Sequence, residues 1–242
     1  MHRFFLSADQ FHLNEIAIPA ELSRQMTRVL RLEIGSEVIL LDDQGFEYIA
    51  ALSEVNDREC KAVVRQQQPA QGEPETKLTL ILGLTQREKF EWILQKCTEI
   101  GVTSFLPVTT SRSLIQKPED VHEKYPRWKK IIIEAAEQSR RGRIPVLLPA
   151  LSFIKALSIV QSNDALKLIL WEDEVTTGIK YAVRNHQGKN VQLFVGPEGG
   201  FSKEEVDIAK QAGFISVSLG KRILRMETAA MMSSGLVIYE LG

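Results

Sequence analysis

The stretch Phe194-Val195-Gly196-Pro197-Glu198-Gly199-Gly200-Phe201-Ser202 decides the fold, because it places a glycine-rich turn directly after an apolar strand. Adjacent glycines permit a sharp turn and a close approach to a ligand, since no Cβ blocks either one. Ser202 followed by Glu205 is a capping-box pattern, which predicts that a helix with free N–H donors begins beside the turn. A strand–helix connection that needs its glycines only for geometry remains the alternative.

A second glycine-containing loop lies further along the chain and reads Leu219-Gly220-Lys221-Arg222-Ile223-Leu224-Arg225-Met226-Glu227-Thr228-Ala229. It also connects a short apolar strand to a helical pattern. Together the two loops predict a ligand that is held mainly by backbone groups.

Strands and helices alternate from Lys77 onward, which predicts an α/β domain. Strands in this arrangement form an open, mostly parallel sheet, with ligand loops beyond their carboxyl ends. Trp128 shares the helical spacing of the apolar residues that follow it, so we expect it in the core. The predicted strands cover 78–84, 105–108, 166–171, 191–195 and 216–219, and the predicted helices cover 87–100, 128–139, 203–212 and 227–239.

The N-terminal region predicts a small β-rich domain. Apolar runs at 36–41 and 48–52 flank a polar connection that ends in Gly45, which is typical of a hairpin. Helical spacing predicts a helix over 19–30. The polar segment 66–75, which contains proline and glycine, predicts a linker, so we divide the chain into domains 1–72 and 73–242.

The net charge of −1 does not by itself favour nucleic-acid binding, because phosphate contacts need clustered Lys and Arg. The charge is unevenly distributed, however. Residues 1–72 carry 7 Lys/Arg and 11 Asp/Glu, so the basic excess falls on residues 73–242. Two clusters are either solvated surface or phosphate contacts, and they comprise Lys129, Lys130, Arg140, Arg141 and Arg143, and Lys221, Arg222 and Arg225.

Several protein classes are disfavoured by the composition. No apolar run approaches the roughly twenty residues of a membrane-spanning helix, and the N-terminus lacks the apolar core of a secretory signal, so we predict a cytoplasmic protein without membrane association. Cys60 and Cys97 do not make a disulfide framework and are expected to be reduced and buried. The chain has four histidines, including His12, and they lie too far apart along the sequence to predict a metal site.

The two loops resemble the signature of the RsmE family (ribosomal RNA small subunit methyltransferase E), 16S rRNA uridine N3-methyltransferases of the SPOUT class. Further segments resemble the family in the same order, so the resemblance spans nearly the whole chain: Arg3-Phe4-Phe5, Arg28-Val29-Leu30-Arg31-Leu32 with Gly35, Gln95 to Val102, and Glu137-Gln138-Ser139-Arg140-Arg141. One departure is Met226, where the family usually has Thr.

The resemblance implies an α/β fold: a C-terminal SPOUT α/β-knot (trefoil knot) methyltransferase domain with a small N-terminal PUA-like β-barrel domain. It also implies a homodimer, S-adenosyl-L-methionine as cofactor, and 16S rRNA in the small ribosomal subunit as partner. By the same resemblance the cofactor pocket is formed by Trp171, Gly196, Pro197, Glu198, Gly199, Gly200, Leu219, Gly220, Ile223, Leu224 and Ala229.

The resemblance further implies catalytic roles for Arg225, Glu227 and Thr228. Arg225 would stabilise negative charge on the uridine or hold a phosphate, Glu227 would orient Arg225 or the substrate, and Thr228 would supply a hydroxyl. Which group takes the N3 proton stays open, and Glu227 and Thr228 are also ordinary residues for a first helical turn. RNA contacts are expected from Arg3, Arg28, Arg31, Arg112, Arg140 and Arg141.

Three alternatives stay open at the level of sequence. The chain could be a SPOUT enzyme that acts on another RNA or on a ribose 2′-hydroxyl, or a non-catalytic ribosome-associated module that binds RNA. A phosphate-binding nucleotide protein is disfavoured, because no Gly-Lys-Ser/Thr follows the glycines of the first loop.

Overall fold

A computed structural model describes residues 1–12, 14–159 and 164–242. The chain forms two compact units, the first from Met1–Glu73 with Ala136–Ile144 and the second from Pro74–Ala135 with Pro145–Gly242. The segment 136–144 therefore belongs to the first unit, although no pattern in the sequence separates it from its neighbours. A largely buried ion pair holds it there, between the Arg141 guanidinium and the Glu73 carboxylate at 3.0 Å.

The first unit is built on a five-stranded sheet with the strand order β1-β3-β4-β5-β2. Strand β1 runs parallel to β3, and the other pairs are antiparallel. The predicted hairpin is confirmed, since β3 and β4 pair around residues 42–45. The elements are β1 (His2–Phe5), β2 (Glu15–Ile18), α1 (Ala20–Arg24) continued by a π-helical turn (Gln25–Val29), β3 (Glu37–Leu41), β4 (Phe46–Glu54) and β5 (Cys60–Pro69).

The predicted linker at 66–75 is wrong in its first half. Strand β5 continues to Pro69, and Gln66, Gln67 and Gln68 pair with residues of β4. A sheet ladder uses only backbone groups, so polar side chains are compatible with it when they point away from the core. The apolar core of this unit lies against the other strands and includes Phe4, Ile16, Leu40 and Leu52.

The second unit contains a seven-stranded sheet in which every described pairing is parallel. Its order is β12-β10-β11-β6-β7-β8, with β9 also paired to β7. The strands are β6 (Lys77–Gly83), β7 (Ser104–Thr109), β8 (Val146–Leu147), β9 (Leu151–Ser152), β10 (Leu166–Leu170), β11 (Asn190–Val195) and β12 (Ile215–Val217). The helices are α2 (Arg87–Ile100), α3 (Tyr125–Gln138), α4 (Phe153–Ile159), α5 (Ile179–Arg184), α6 (Lys203–Gln211) and α7 (Met226–Leu241).

The helices of this unit bury the apolar stripes that the sequence predicts. In α2 the residues Phe90, Ile93, Leu94 and Cys97 are buried, and Gly101 ends the helix. Trp128 is confirmed in the core, 1% exposed, with its ring centroid 4.5 Å from that of Phe90. Cys60 and Cys97 are both buried free thiols, as expected.

The strand order determines where a ligand can bind. Strands β12, β10 and β11 are neighbours and parallel, so their carboxyl ends lie at the same edge of the sheet. The loops that leave these three ends, 171–178, 196–202 and 218–225, therefore meet at one place. After the last of them the chain turns into α7, which packs on α2 and on strands β11 and β6.

Candidate active site

A cavity of about 870 Å³ lies where these three loops meet in the second unit. Glycines, apolar side chains and charged side chains all contribute to its lining. One of the apolar lining residues, Ile223, is 86% exposed, so its side chain is open to a ligand. The volume and the mixed lining are typical of a site for a small organic ligand.

The glycine-rich turn forms one wall and is rigidly anchored. Gly200 has a φ of 68°, and its N–H donates to the Pro197 carbonyl at 2.9 Å. The predicted capping box is confirmed: the Glu205 N–H donates to Ser202 Oγ, and the Ser202 N–H donates to Glu205 Oε2. The first turn of α6 is thereby fixed directly behind the cavity.

Arg112 supports the same turn from outside the cavity. Its Nη1 donates to the Gly199 carbonyl at 2.8 Å. The neighbouring Ser111 N–H donates to Glu205 Oε1 at 2.7 Å, so the loop that carries Arg112 is attached to the start of α6. Arg112 thus braces the glycine turn while its side chain remains exposed.

The second loop, 218–225, forms the opposite wall around Gly220. Its φ of 108° lies in a region that favours glycine. The Gly220 N–H donates to Ser218 Oγ at 3.1 Å, which closes a local turn. Gly220 therefore shapes the loop that presents Ile223, Leu224 and Arg225 to the cavity.

In the third wall, residues 171–178, only Trp171 was singled out from the sequence. The centre of this wall is Glu174, whose carboxylate accepts hydrogen bonds from the Ser216 hydroxyl, from the Thr176 hydroxyl and N–H, and from the Thr177 N–H. These bonds lower the pKa of Glu174 to about 2, so it is ionised at neutral pH. The position of Glu172 and Glu174 just after a buried strand could have marked them as site residues.

Two of the three predicted catalytic residues line the cavity. Arg225 is the exposed N-cap residue of α7 and forms no ion pair within residues that the structure describes. Glu227 lies in the first turn of α7, and its Oε2 is buried without a hydrogen-bond partner in the described chain. Thr228 is half-buried and does not line the cavity, while Met226 is buried at 5% exposure.

Ten of the eleven residues predicted for the cofactor pocket line this cavity, and the exception is Gly199. Its carbonyl is used by Arg112 instead, so it acts behind the wall. The lining residues that were not assigned to the site from the sequence include Lys89, Glu172, Glu174, Val175, Gly178 and Ser218. Of these, Lys89 forms an ion pair with Glu198 at 3.1 Å.

The arginines expected to contact RNA differ in their surroundings. Arg3 pairs with Glu47 at 2.6 Å and has a side chain only 10% exposed, and Arg141 is buried beside Glu73. Neither guanidinium lies open to solvent. Arg28 is exposed and pairs with Asp57, whereas Arg31 and Arg140 are exposed and both have positive φ values.

Other kinds of site receive no support from the part of the chain described. No group of His, Cys, Asp and Glu there has the arrangement of a metal site, although the side chain of His12 lies outside the described residues. No described helix is long and apolar enough to cross a membrane. Burial raises the pKa of Cys97 to about 12, so its thiol is not a nucleophile at neutral pH.

Comparison with family models supports the same division of roles. Residues 72–238 match an RNA methyltransferase domain, and residues 23–65 match an RNA methyltransferase PUA domain. The first match covers the whole cavity. The α/β methyltransferase fold of the SPOUT class and the PUA-like N-terminal domain, both expected from the resemblance, are thereby confirmed.

Individual relatives are similar over nearly the whole chain. Ribosomal RNA small subunit methyltransferase E from Bacillus subtilis is 29% identical, covering 99% of this chain and 97% of the relative. The protein of the same name from Synechocystis is 31% identical and covers 94% and 74%.

Solved structures of methyltransferases are also similar to this chain over nearly its whole length. The enzyme of that name from Neisseria gonorrhoeae, bound to S-adenosyl methionine, has a TM-score of 0.87 at 29% identity and covers 97% of this chain and 95% of that one. A methyltransferase from Legionella pneumophila in complex with the same cofactor has a TM-score of 0.88 at 29% identity and covers 98% and 96%. The chain therefore belongs to the ribosomal RNA small subunit methyltransferase E family.

Proposed function

We propose that this protein transfers the methyl group of S-adenosylmethionine to N3 of a uridine in small-subunit (16S) ribosomal RNA. The observation that carries the proposal is the cavity at the carboxyl ends of β10, β11 and β12. There, two glycine-shaped loops lie beside Arg225 and Glu227 Oε2, and within the described chain Arg225 has no ion pair and Glu227 Oε2 has no hydrogen-bond partner. Family membership supports methyl transfer to RNA as the reaction class. Arg225 and Glu227 support uridine N3, an acidic imide nitrogen, as the methyl acceptor.

The residues present fit the cofactor. Ile223 and Leu224 offer apolar surface for a purine ring, while backbone groups of the turns around Gly196 and Gly220 offer donors and acceptors for polar groups. The carboxyl groups of Glu172, Glu174 and Glu198 line the same space and suit a cationic ligand with hydroxyl groups, and the pKa values of Glu174 and Glu198 are lowered. When bound, S-adenosylmethionine supplies a methyl group already activated by its sulfonium.

Uridine N3, the methyl acceptor, requires two functional groups of the protein. Uridine N3 carries a proton at neutral pH, so transfer needs a group that accepts this proton and a group that stabilises the negative charge left on the base. We assign the proton to Glu227, because its buried oxygen has no other hydrogen-bond partner in the described structure. We assign the developing charge on the base oxygens to Arg225, which has no competing ion pair among the described residues.

Positioning supplies the remaining rate enhancement. Well-oriented reactants gain roughly 7–11 kcal/mol from proximity, and this requires rigid walls. The capping box behind the glycine turn, the Arg112 brace and the Glu174 hydrogen bonds provide that rigidity. A base must leave its stack to enter such a cavity, so we expect an unpaired or flipped uridine.

A change at Gly220 tests the cofactor assignment. We expect Gly220→Ala to raise the Kd for S-adenosylmethionine about tenfold, because an L-residue at this φ is strained by roughly 1–3 kcal/mol and the binding conformation of the loop becomes rarer. A Cβ at Gly220 meets no atom within 4 Å, so the effect is conformational and not a clash. Isothermal titration measures the Kd.

The matched control is Gly235→Ala, which adds the same methyl group in open space within α7 and outside the cavity. It should leave the Kd unchanged. Equal Kd values for Gly220→Ala and the wild type would mean that loop 218–225 does not hold the cofactor.

We also propose that the protein acts in the cytoplasm as a homodimer with a knotted C-terminal segment. Exposed apolar side chains support self-association of the second unit: Val175 is 89% exposed, and Tyr181 on α5 and Tyr239 on α7 are 72% and 85% exposed. Helices α5 and α7 pack together, so they can present one continuous surface. Sedimentation equilibrium should give twice the chain mass of 27.3 kDa, and a single-chain mass would remove the dimer.

The substrate is tested by offering several RNAs side by side. Labelled methyl groups from S-adenosylmethionine should appear on small ribosomal subunits that lack the modification, and not on transfer RNA. Label on transfer RNA would keep the enzyme class and overturn the substrate. Absence of label on every RNA, with a folded protein, would favour a non-catalytic RNA-binding module.

A further inference from the structure

A second cavity, of about 560 Å³, lies entirely within the first unit and is separate from the methyl-transfer site. It is formed by strands β1, β3 and β4, the end of β5, and the segment that follows α3. The residues used below are Arg3, Ile39, Glu47, Gln68, Gln71 and Arg140. Its lining contains polar and charged side chains together with the apolar side chains of Met1 and Ile39.

The charges at the base of this cavity are already paired. Arg3 Nη2 donates to Glu47 Oε2 at 2.6 Å, and Gln68 Nε2 donates to Glu47 Oε1 at 2.6 Å. Both members of the Arg3–Glu47 pair have side chains about 10% exposed. The buried pair is electrically neutral, so the cavity gains no net charge from it.

Arg140 is the third charged residue that lines this cavity, beside the paired Arg3 and Glu47. Among the described residues its guanidinium makes no hydrogen bond and no ion pair, and the residue is exposed at the cavity. Gln71 is likewise exposed, and its amide has no hydrogen-bond partner in the described chain. Within the described chain, the cavity therefore offers the guanidinium of Arg140 and the amide of Gln71. Both lie beside the neutral Arg3–Glu47 pair at the bottom of the cavity.

The backbone at Arg140 is also unusual. The Arg141 N–H donates to the Ala136 carbonyl at 2.9 Å, so α3 ends in a Schellman arrangement with Arg140 at the left-handed C′ position, where φ is 63°. Glycine is the usual residue there, because a Cβ makes this conformation costly. The Arg140 charge helps to lower the pKa of Glu47, but its guanidinium has no hydrogen bond or ion pair among the described residues. A side chain kept at a strained position with its hydrogen-bond donors unused indicates a functional role.

We propose that this cavity binds one unpaired nucleotide of the RNA substrate, with its phosphate on Arg140 and its base edge on the amide of Gln71. A single unbalanced positive charge suits one phosphate, and amide groups supply both a donor and an acceptor to a base edge. Ile39 gives the base an apolar contact. The inference rests on the proposed function, since it takes the RNA as substrate.

The test is Arg140→Gly, which removes the guanidinium and at the same time relieves the backbone. The variant should be at least as heat-stable as the wild type and bind S-adenosylmethionine with the same Kd. Its Kd for unmodified small ribosomal subunits should rise about tenfold, and the slope of log K against log salt should fall by about 1. Filter binding at several salt concentrations measures both.

Two further variants make the result specific. Lys155→Ala removes an exposed positive charge in α4, outside the cavity, and should leave the Kd for the subunits unchanged. Gln71→Ala should weaken binding without changing the salt slope, because an amide neutralises no phosphate. If Arg140→Gly binds the subunits with the wild-type Kd and salt slope, the inference is overturned.

This failure is distinguishable from failure of the proposed function. Methyl transfer by the wild type to the same subunits reports on the function alone. Wild-type transfer together with unchanged binding by Arg140→Gly would overturn only the nucleotide site in the first unit.

Discussion

Replacing Arg225 by Ala is expected to lower the rate of methyl transfer by at least about 100-fold, which is the usual loss when one donor to a developing negative charge is removed. Arg225 lines the cavity from the N-cap of α7, and among the described residues it has no ion pair that would occupy its guanidinium. The Kd for S-adenosylmethionine should stay close to that of the wild type, because backbone groups hold the cofactor. Single-turnover rates and titration measure the two quantities.

Arg225→Lys separates charge from geometry. Lysine keeps the positive charge but loses the planar fork, so part of the activity should return. Lys155→Ala, an exposed change on α4 outside the cavity, is a control for loss of a positive charge elsewhere. Near-normal turnover of Arg225→Ala would exclude this residue from the mechanism.

Replacing Glu227 by Gln should also reduce the rate, by about 100-fold or more, as expected when a general base is lost. The two side chains have nearly the same shape, so packing at the first turn of α7 is retained. The buried Oε2 of Glu227 has no hydrogen-bond partner in the described chain, which leaves it available to the substrate. The rate of the variant should rise as the pH increases, because uridine then loses its N3 proton to solvent.

This pH profile distinguishes two roles for Glu227. If Glu227 accepts the proton, the deficit of Glu227→Gln shrinks with increasing pH, whereas the deficit of Arg225→Ala does not. If Glu227 only orients Arg225 or the substrate, the profile of Glu227→Gln should run parallel to that of the wild type. Transfer rates between neutral and alkaline pH, at saturating cofactor, decide between them.

Local patterns in the sequence predicted the elements that build the active site. The capping box at Ser202 and Glu205, the strand before Gly196 and the helix after Arg225 each depend on neighbouring residues, and each is found in the structure. Parallel strands then place their loops at one edge of the sheet, so the meeting of the two glycine loops could be expected as well.

Features that depend on distant residues could not be predicted in this way. The Glu174 loop joins the site because Ser216, in another strand, donates to its carboxylate. Segment 136–144 joins the first unit because Glu73 pairs with Arg141, 68 residues along the chain. The glutamines of β5 were predicted to lie in a linker because their side chains are polar. They pair with β4 through backbone hydrogen bonds, which do not depend on side-chain polarity.

Thr228 and Arg141 show the same limit at single residues. Thr228 follows Glu227 directly, yet helical geometry turns it away from the cavity that Glu227 lines. Arg141 follows the exposed Arg140, yet its side chain is buried against Glu73. The family resemblance placed both residues in candidate sites, and Arg141 also belongs to a basic cluster, whereas the direction of each side chain is set by the packing of the fold.

The most direct measurement is nucleoside analysis of small-subunit RNA after methyl transfer by the wild-type protein. Unmodified subunits would be incubated with S-adenosylmethionine carrying a labelled methyl group, and their RNA would then be digested to nucleosides and separated. We predict that the label elutes as 3-methyluridine. Label in a 2′-O-methylated nucleoside, or in a base other than uridine, would contradict the roles assigned to Arg225 and Glu227.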